Sequence, residues 1–141
     1  MLHLNRKTEY ALLALAHLSQ MKDGGLAKVS QIAERFSIPP MLLSKVLQDL
    51  KAQGYVCSTK GRLGGYSMNC RPEDVPITEF LQSFGESTRL VTCESNDGDI
   101  CKCIDDCVIQ DPLAQLEQVI MDSVQHITLA DVIGQTKANA A

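Results

Sequence analysis

Six cysteines stand in a chain of 141 residues, and four of them, Cys93, Cys101, Cys103 and Cys107, fall within fifteen positions. Their spacing is C-x7-C-x-C-x3-C, or C-x7-C-x5-C when Cys103 is set aside. Thiolates are soft ligands suited to zinc and to iron–sulfur clusters. Structural zinc sites use tighter paired knuckles, whereas a loop with wide gaps can wrap the larger volume of an iron–sulfur cluster. A thiol–disulfide switch is the third chemistry open to the same residues. Cys57 and Cys70 stand alone and are expected to pack as small apolar side chains. His3, His17 and His126 are isolated from one another; His17, in an apolar helix, reads as a packed or hydrogen-bonded residue rather than a ligand. The acidic positions Glu94, Asp97, Asp99, Asp105 and Asp106 lack the spacing of a calcium loop and read as a solvated surface.

A second chemistry lies in the charge. Residues 1–72 carry a net charge of +6 and residues 73–141 a net charge of −10, which together make −4. Fields act locally, so the basic half can face phosphates while the acidic half points away. Within the basic half, Met41, Ser44, Lys45 and Gln48 recur at helical spacing, opposite the apolar Leu43, Val46, Leu47 and Leu50. A glycine-rich basic tip follows, Lys60-Gly61-Arg62-Leu63-Gly64-Gly65. Ser44, Lys45 and Gln48 can donate to base edges or phosphates in a major groove about 12 Å wide. Lys60, Gly61 and Arg62 would reach backbone or minor groove. Double-stranded DNA is the expected partner. The chain has no Gly-Lys-Ser/Thr phosphate loop, no G-x-S-x-G and no H-E-x-x-H, so an enzyme is not expected. It also has no apolar run of about 18 residues and no secretory pattern at its start, so the expectation is a cytoplasmic protein without a membrane partner.

The elements that must position these residues read as mainly α with a small β-wing. One helix spans Asn5 to about Gln20, with Ala11, Ala14, Leu15 and Leu18 at helical spacing, and Asp23-Gly24-Gly25 breaks it. Ser30 is placed to cap a short helix with Ile32, Ala33 and Phe36 inside. Pro40 suits the first position of an amphipathic helix, about Met41 to Gln53, which Gly54 ends as a left-handed residue. Tyr55–Thr59 and Tyr66–Met68 read as the two strands of a hairpin. Two helices, a tight turn, an amphipathic helix and a basic hairpin make a winged helix-turn-helix. Ile77, Phe80, Leu81 and Phe84 then mark a short helix closing near Gly85. Asp111-Pro112 reads as the cap and first position of a long helix. Its stripe of Leu113, Leu116, Ile120, Val124 and Ile127 has little chain left to cover it, which points to a helix from a second subunit. Thr128 caps a last turn through Val132. The expected division is a DNA-binding domain over 1–85, a cysteine-rich cluster-binding loop over 86–110, a dimerisation helix and closing segment over 111–134, and a tail over 135–141.

Leu4 to Ala11 with Glu9-Tyr10-Ala11, the wing Lys60 to Tyr66, Cys93…Cys101…Cys107 ahead of a long helix, and Leu129-Ala130-Asp131-Val132-Ile133 carry a resemblance. Along nearly its whole length the chain resembles the IscR/NsrR/RirA-type family of winged-helix iron–sulfur regulators. The resemblance implies a homodimeric transcriptional repressor whose long C-terminal helices pair. It also implies one iron–sulfur cluster per subunit, 2Fe–2S or 4Fe–4S, between the dimer helix and the DNA-binding head. Cys93, Cys101 and Cys107 are the implied ligands, Cys101 being preferred to Cys103 because Cys101-x5-Cys107 preserves the family's second gap. Glu9 sits where some members place an acidic ligand on the first helix. Two features depart from the pattern. The Cys93 to Cys101 gap is wider than in several members, and Cys103 is an extra thiol, so four cysteines without Glu9 form an alternative ligand set. A zinc-stabilised or thiol-switched DNA-binding regulator, and after it an iron–sulfur electron carrier, are the alternative functions.

Overall fold

The structure, a computed structural model, describes residues 3–22, 25–91, 93 and 101–134. The break at Asp23-Gly24, the acidic positions Glu94, Asp97 and Asp99, and the tail 135–141 lie outside the described residues.

Helix α1 (Arg6–Ser19) begins where the Asn5 side-chain oxygen accepts from the Thr8 N–H at 2.8 Å and from the Thr8 hydroxyl at 3.1 Å. That cap satisfies one of the donors every helix start leaves open, and it allows Thr8 to be buried without an orphaned hydroxyl. Ala11, Ala14, Leu15 and Leu18 turn into the core as their spacing predicts. Helices α2 (Val29–Phe36) and α3 (Pro40–Ala52) follow. Ser30 does not cap α2. Lys28 holds the cap position, and the Gln31 carboxamide reaches back to accept its N–H at 2.8 Å. A glutamine at the third helical position can do this whatever side chain the cap residue carries, which leaves Ser30 inside the first turn. Phe36 is half-buried rather than internal, its ring meeting His17 edge-on with centroids 6.3 Å apart. Pro40 opens α3 as expected, and Gly54 follows its end at φ 85°.

Strands β1 (Val56–Thr59) and β2 (Gly65–Met68) pair antiparallel, Val56 opposite Met68 and Thr59 opposite Gly65. Ala27 adds a one-residue third strand, exchanging backbone hydrogen bonds with Tyr66 at 2.9 and 2.8 Å. The connection from α1 to α2 is thereby sewn to the wing. Gly65 lies directly against it, and a Cβ there would stand 2.6 Å from the Ala27 carbonyl oxygen.

Helices α4 (Ile77–Ser83), α5 (Gln110–Val124) and α6 (Leu129–Ile133) complete the described chain. Helix α5 starts at Gln110 rather than at Pro112; Asp111 lies in its first turn, and Ile109 holds the cap position without a side-chain bond. Pro112 is tolerated inside that turn because its missing N–H would have no intrahelical acceptor there. Thr128 caps α6 by accepting from the Asp131 N–H. The chain then returns to the head: Leu129 N–H donates to the Val75 carbonyl at 2.8 Å, and Ile77 N–H to the Ile127 carbonyl at 3.0 Å. Leu129 and Ile133 are buried in the same core as Leu15, Leu47, Phe80 and Phe84. By contrast α5 has no buried residue. Among the described residues, no helix is long and apolar enough to cross a membrane.

Candidate functional site

Burial of Leu43, Val46, Leu47 and Leu50 sets the rotation of α3 about its axis. Met41, Lys45 and Gln48 are consequently exposed, and Ser44 lies at the edge of that face, half-buried. The wing carries Lys60, Gly61 and Arg62 into solvent, with Gly61 at φ 115°, a conformation glycine adopts without steric cost. All seven residues expected to contact DNA therefore lie on α3 or the wing tip. The ion pairs among the described residues are Arg6–Glu9, Lys7–Asp49 and Arg71–Asp74, so Lys45, Lys60 and Arg62 have no acidic partner there. Two grooves flank this face. One, between the first turns of α1 and α3, is lined by Arg6, Lys7, Tyr10, Leu42, Lys45 and Val46. The other, between the start of α2 and the wing, is lined by Lys28, Ser58, Thr59, Lys60, Arg62 and Tyr66 among others.

Arg6, Lys7 and Lys28 also line these grooves, although the sequence pattern does not single them out. Arg6 and Lys7 did leave a signal, two cations in an opening helical turn where the macrodipole favours acids. Lys28 left none, because only the Ala27–Tyr66 bridge brings it to the wing. Lys7 is already engaged, 2.8 Å from Asp49 and 5.5 Å from the centre of the Phe84 ring, and so ties α1 to α3.

His17 is part of the scaffold. Arg35 donates to its Nδ1 at 2.8 Å and to the Gln20 side chain at 3.1 Å, which leaves the imidazole neutral with its proton on Nε2. Burial, and then the Arg35 charge, hold its pKa below the ordinary 6.5. Cys57 Sγ sits 3.1 Å from the Ser67 hydroxyl, and Cys70 packs against the core. Burial, and then Glu73, push the Cys70 thiol pKa up.

The clustered cysteines occupy the approach to α5. Cys101 N–H donates to the Cys93 carbonyl at 2.8 Å, so these two cysteines, eight positions apart in sequence, are neighbours through the backbone. Cys103 leads into a short 3-10 turn over Ile104–Asp106, and Cys107 ends it. The Sγ atoms of Cys101 and Cys103 are 3.3 Å apart. Hydrogen bonds from the Cys103 backbone N–H and then its thiol draw the Cys101 pKa down. Donating that proton, and then facing the Cys101 charge, raises the pKa of Cys103. Glu9 belongs to a different neighbourhood, its Oε2 3.1 Å from Arg6 Nη1. Among the described residues, no three His, Cys, Asp or Glu side chains gather around a point where a metal ion would sit. Within one chain the structure thus brings Cys101 to Cys103, and Cys101 to the Cys93 backbone, but brings Glu9 to none of them. The donor chemistry, thiols concentrated on one short turn, suits a soft metal or an iron–sulfur group.

Residues 4–135 match the Rrf2 family, described as an iron-dependent transcriptional regulator. A helix-turn-helix-type transcriptional regulator of Aquifex aeolicus (strain VF5) is 32% identical over 125 residues, which is 88% of this chain and 86% of that one. The helix-turn-helix-type transcriptional regulator NsrR of Bacillus subtilis (strain 168) is 29% identical over 130 residues, 92% and 89% of the two chains. Among solved structures, CymR, the global cysteine regulator of B. subtilis, matches with a TM-score of 0.74 at 18% identity, over 97% of this chain and all of that one. These relatives are transcriptional regulators, not enzymes.

Proposed function

The chain belongs to the Rrf2 family of transcriptional regulators, and on that premise we propose that it is a cytoplasmic, homodimeric repressor whose hold on duplex DNA follows the state of an iron–sulfur cluster. DNA binding rests on one observation: Lys45, Lys60 and Arg62 stand exposed, without acidic partners among the described residues, on elements that share a core. Met41, Ser44, Lys45 and Gln48 enter the major groove. Lys60, Gly61 and Arg62 hold the backbone or minor groove, and Lys28 joins them from the start of α2. Because α3 and the wing pack on one core, these contacts act as a rigid unit.

The family's iron-dependent description and the clustered thiols support the cluster. Cys93, Cys101 and Cys107 would hold it, with the partner subunit's Glu9 as an oxygen ligand. When bound, the cluster supplies an iron centre sensitive to iron or cluster supply, nitric oxide, oxygen or redox change. A carboxylate is a poorer partner for a thiolate- and sulfide-ligated cluster than a thiolate is, so Glu9 would be the ligand most easily displaced. Its helix, α1, packs against α3 and is pinned to it by Lys7–Asp49, which gives a change at Glu9 a route to the recognition surface. Helix α5 supports the dimer: Leu116 and Val119 are 49% and 62% exposed, and Ile120 and Val124 line an apolar groove with Leu4 and Leu81. A second α5 would cover this surface and hold two recognition helices about 34 Å apart, one helical turn of DNA.

The test is the ultraviolet–visible spectrum of anaerobically purified protein, with iron, sulfide and zinc content, followed by salt-dependent titration of duplex DNA with and without the cluster. Colour with iron and sulfide, and an affinity that changes on cluster loss, are the expected results. Colourless protein holding zinc identifies the zinc alternative, and equal DNA binding by the two forms refutes control by the cluster. A coloured protein with no salt-dependent duplex binding is an electron carrier.

A further inference from the structure

We propose that Cys101 and Cys103 form a dithiol modification site, which closes to an intrachain disulfide when a hydroperoxide reaches the cluster-free chain. The two Sγ atoms are 3.3 Å apart, and a disulfide bond of about 2.05 Å requires them to approach by little more than 1 Å. The backbone on either side of the pair is held. Cys101 N–H is bonded to the Cys93 carbonyl at 2.8 Å, Ile104 N–H to the Cys101 carbonyl at 3.1 Å, and Asp106 N–H to the Cys103 carbonyl at 3.2 Å. Only Lys102 lies between them, so little chain entropy is lost on closure. Cys103 is exposed and Cys101 half-exposed, which gives a small oxidant access to both. Cys57 and Cys70 differ, the first lying against the Ser67 hydroxyl and the second packed on the core.

The reaction is a two-electron oxidation. One thiolate attacks a peroxide oxygen, the O–O bond breaks, and a sulfenic acid forms as hydroxide leaves. The second thiolate attacks that sulfur, the S–O bond breaks, and the disulfide forms as a second hydroxide leaves. The two thiols give up two protons and two electrons, and hydrogen peroxide becomes two waters. One consequence rests on the proposed ligand set: the disulfide withdraws Cys101 from the cluster, so rebuilding requires a reductant first. This gives the extra thiol Cys103 a role that a ligand count does not.

The experiment uses cluster-free full-length protein treated with hydrogen peroxide, denatured, alkylated and digested with trypsin. Cleavage after Lys102 separates residues 90–102 from residues 103–137, so a Cys101–Cys103 bond holds these two peptides together until they are reduced. The same digest is run on a Cys93→Ser/Cys107→Ser variant, in which no other cysteine remains in either peptide. Linked peptides in both proteins, lost on adding Cys103→Ser, are the expected result. A link in the unmodified chain that is absent from the double variant assigns the bond to Cys93 or Cys107 and overturns the proposal, as does alkylation of all six thiols. The double variant cannot form the proposed cluster, so this outcome is independent of that reading, which the colour of the unmodified protein tests.

Discussion

Lys45 projects from α3 opposite the buried Leu43 and Leu47, and Arg62 projects from the hairpin tip. If either reads a base, its replacement by Ala weakens duplex binding by about 1–3 kcal/mol; if it holds a phosphate, the salt slope falls by about one instead. Titration of each variant at several salt concentrations separates the two, and unchanged affinity and slope in both rejects the interface. The cysteines divide in the same residue-by-residue way. Ala at Cys93, Cys101 or Cys107 is expected to abolish visible absorbance while leaving the head folded, because its core is built from other residues. Cys103→Ala is expected to keep the colour, and a colourless Cys103 variant beside a coloured Cys101 variant would reverse the assignment. His17 gives a pH dependence. Its folded pKa lies below 6.5, so between the folded and unfolded values the unfolded chain binds more protons and stability rises with pH. The contribution is whole above about 6.5 and is lost as pH falls through the lowered folded value. Urea midpoints at pH 7.5 and 5.5 should therefore converge in a His17→Gln variant.

At the scale of elements, the wing depends on a strand that is one residue long. Ala27 holds Tyr66 by two backbone hydrogen bonds, and Gly65 leaves room for that crossing. Gly65→Ala forces a methyl against the Ala27 carbonyl, a steric cost of about 1–3 kcal/mol that the urea midpoint will register. DNA affinity should fall with it, because the same pairing brings Lys28 and the wing cations together. A variant with unchanged midpoint and affinity would show that the Ala27 bridge has no part in holding the wing. Helix α3 and the hairpin were legible beforehand because apolar spacing, Pro40 and Gly54 act locally. The start of α2 is not legible in the same way: Ser30 has a better side chain for capping than Lys28, yet the Gln31 back-bond selects Lys28. The start of α5 is ambiguous in sequence for a related reason, since an acid and a proline both suit any place in a first turn and Asp111 lies inside it and not at the cap.

The whole molecule raises the question of what covers α5. Mixing Glu9→Ala and Cys93→Ala proteins under conditions of subunit exchange tests the proposed dimer and its shared site together. With Glu9 acting across the dimer, each mixed pair gathers both defects at one site and regains the other, so absorbance returns to about half that of an intact pair. With Glu9 acting in its own chain, both sites stay defective and the mixture stays colourless. A Glu9→Ala homodimer with unchanged spectrum and cluster lifetime would leave Glu9 as the Arg6 partner and no more.

Local order was already determined by the sequence: the amphipathic face of α3, the glycine that ends it, the basic hairpin, the Thr128 cap and the thiol spacing. Each of these signals spans a few neighbouring residues, where periodicity and turn chemistry suffice. Tertiary structure decided what crosses the chain. A single bridged residue such as Ala27 has no period to detect. Helix α6 is five residues long, and Leu129 and Ile133 are buried because the head core supplies the surface they meet. The closure of Cys101 onto the Cys93 carbonyl and the approach of its thiol to Cys103 likewise depend on how the turn folds back, which residue spacing does not specify.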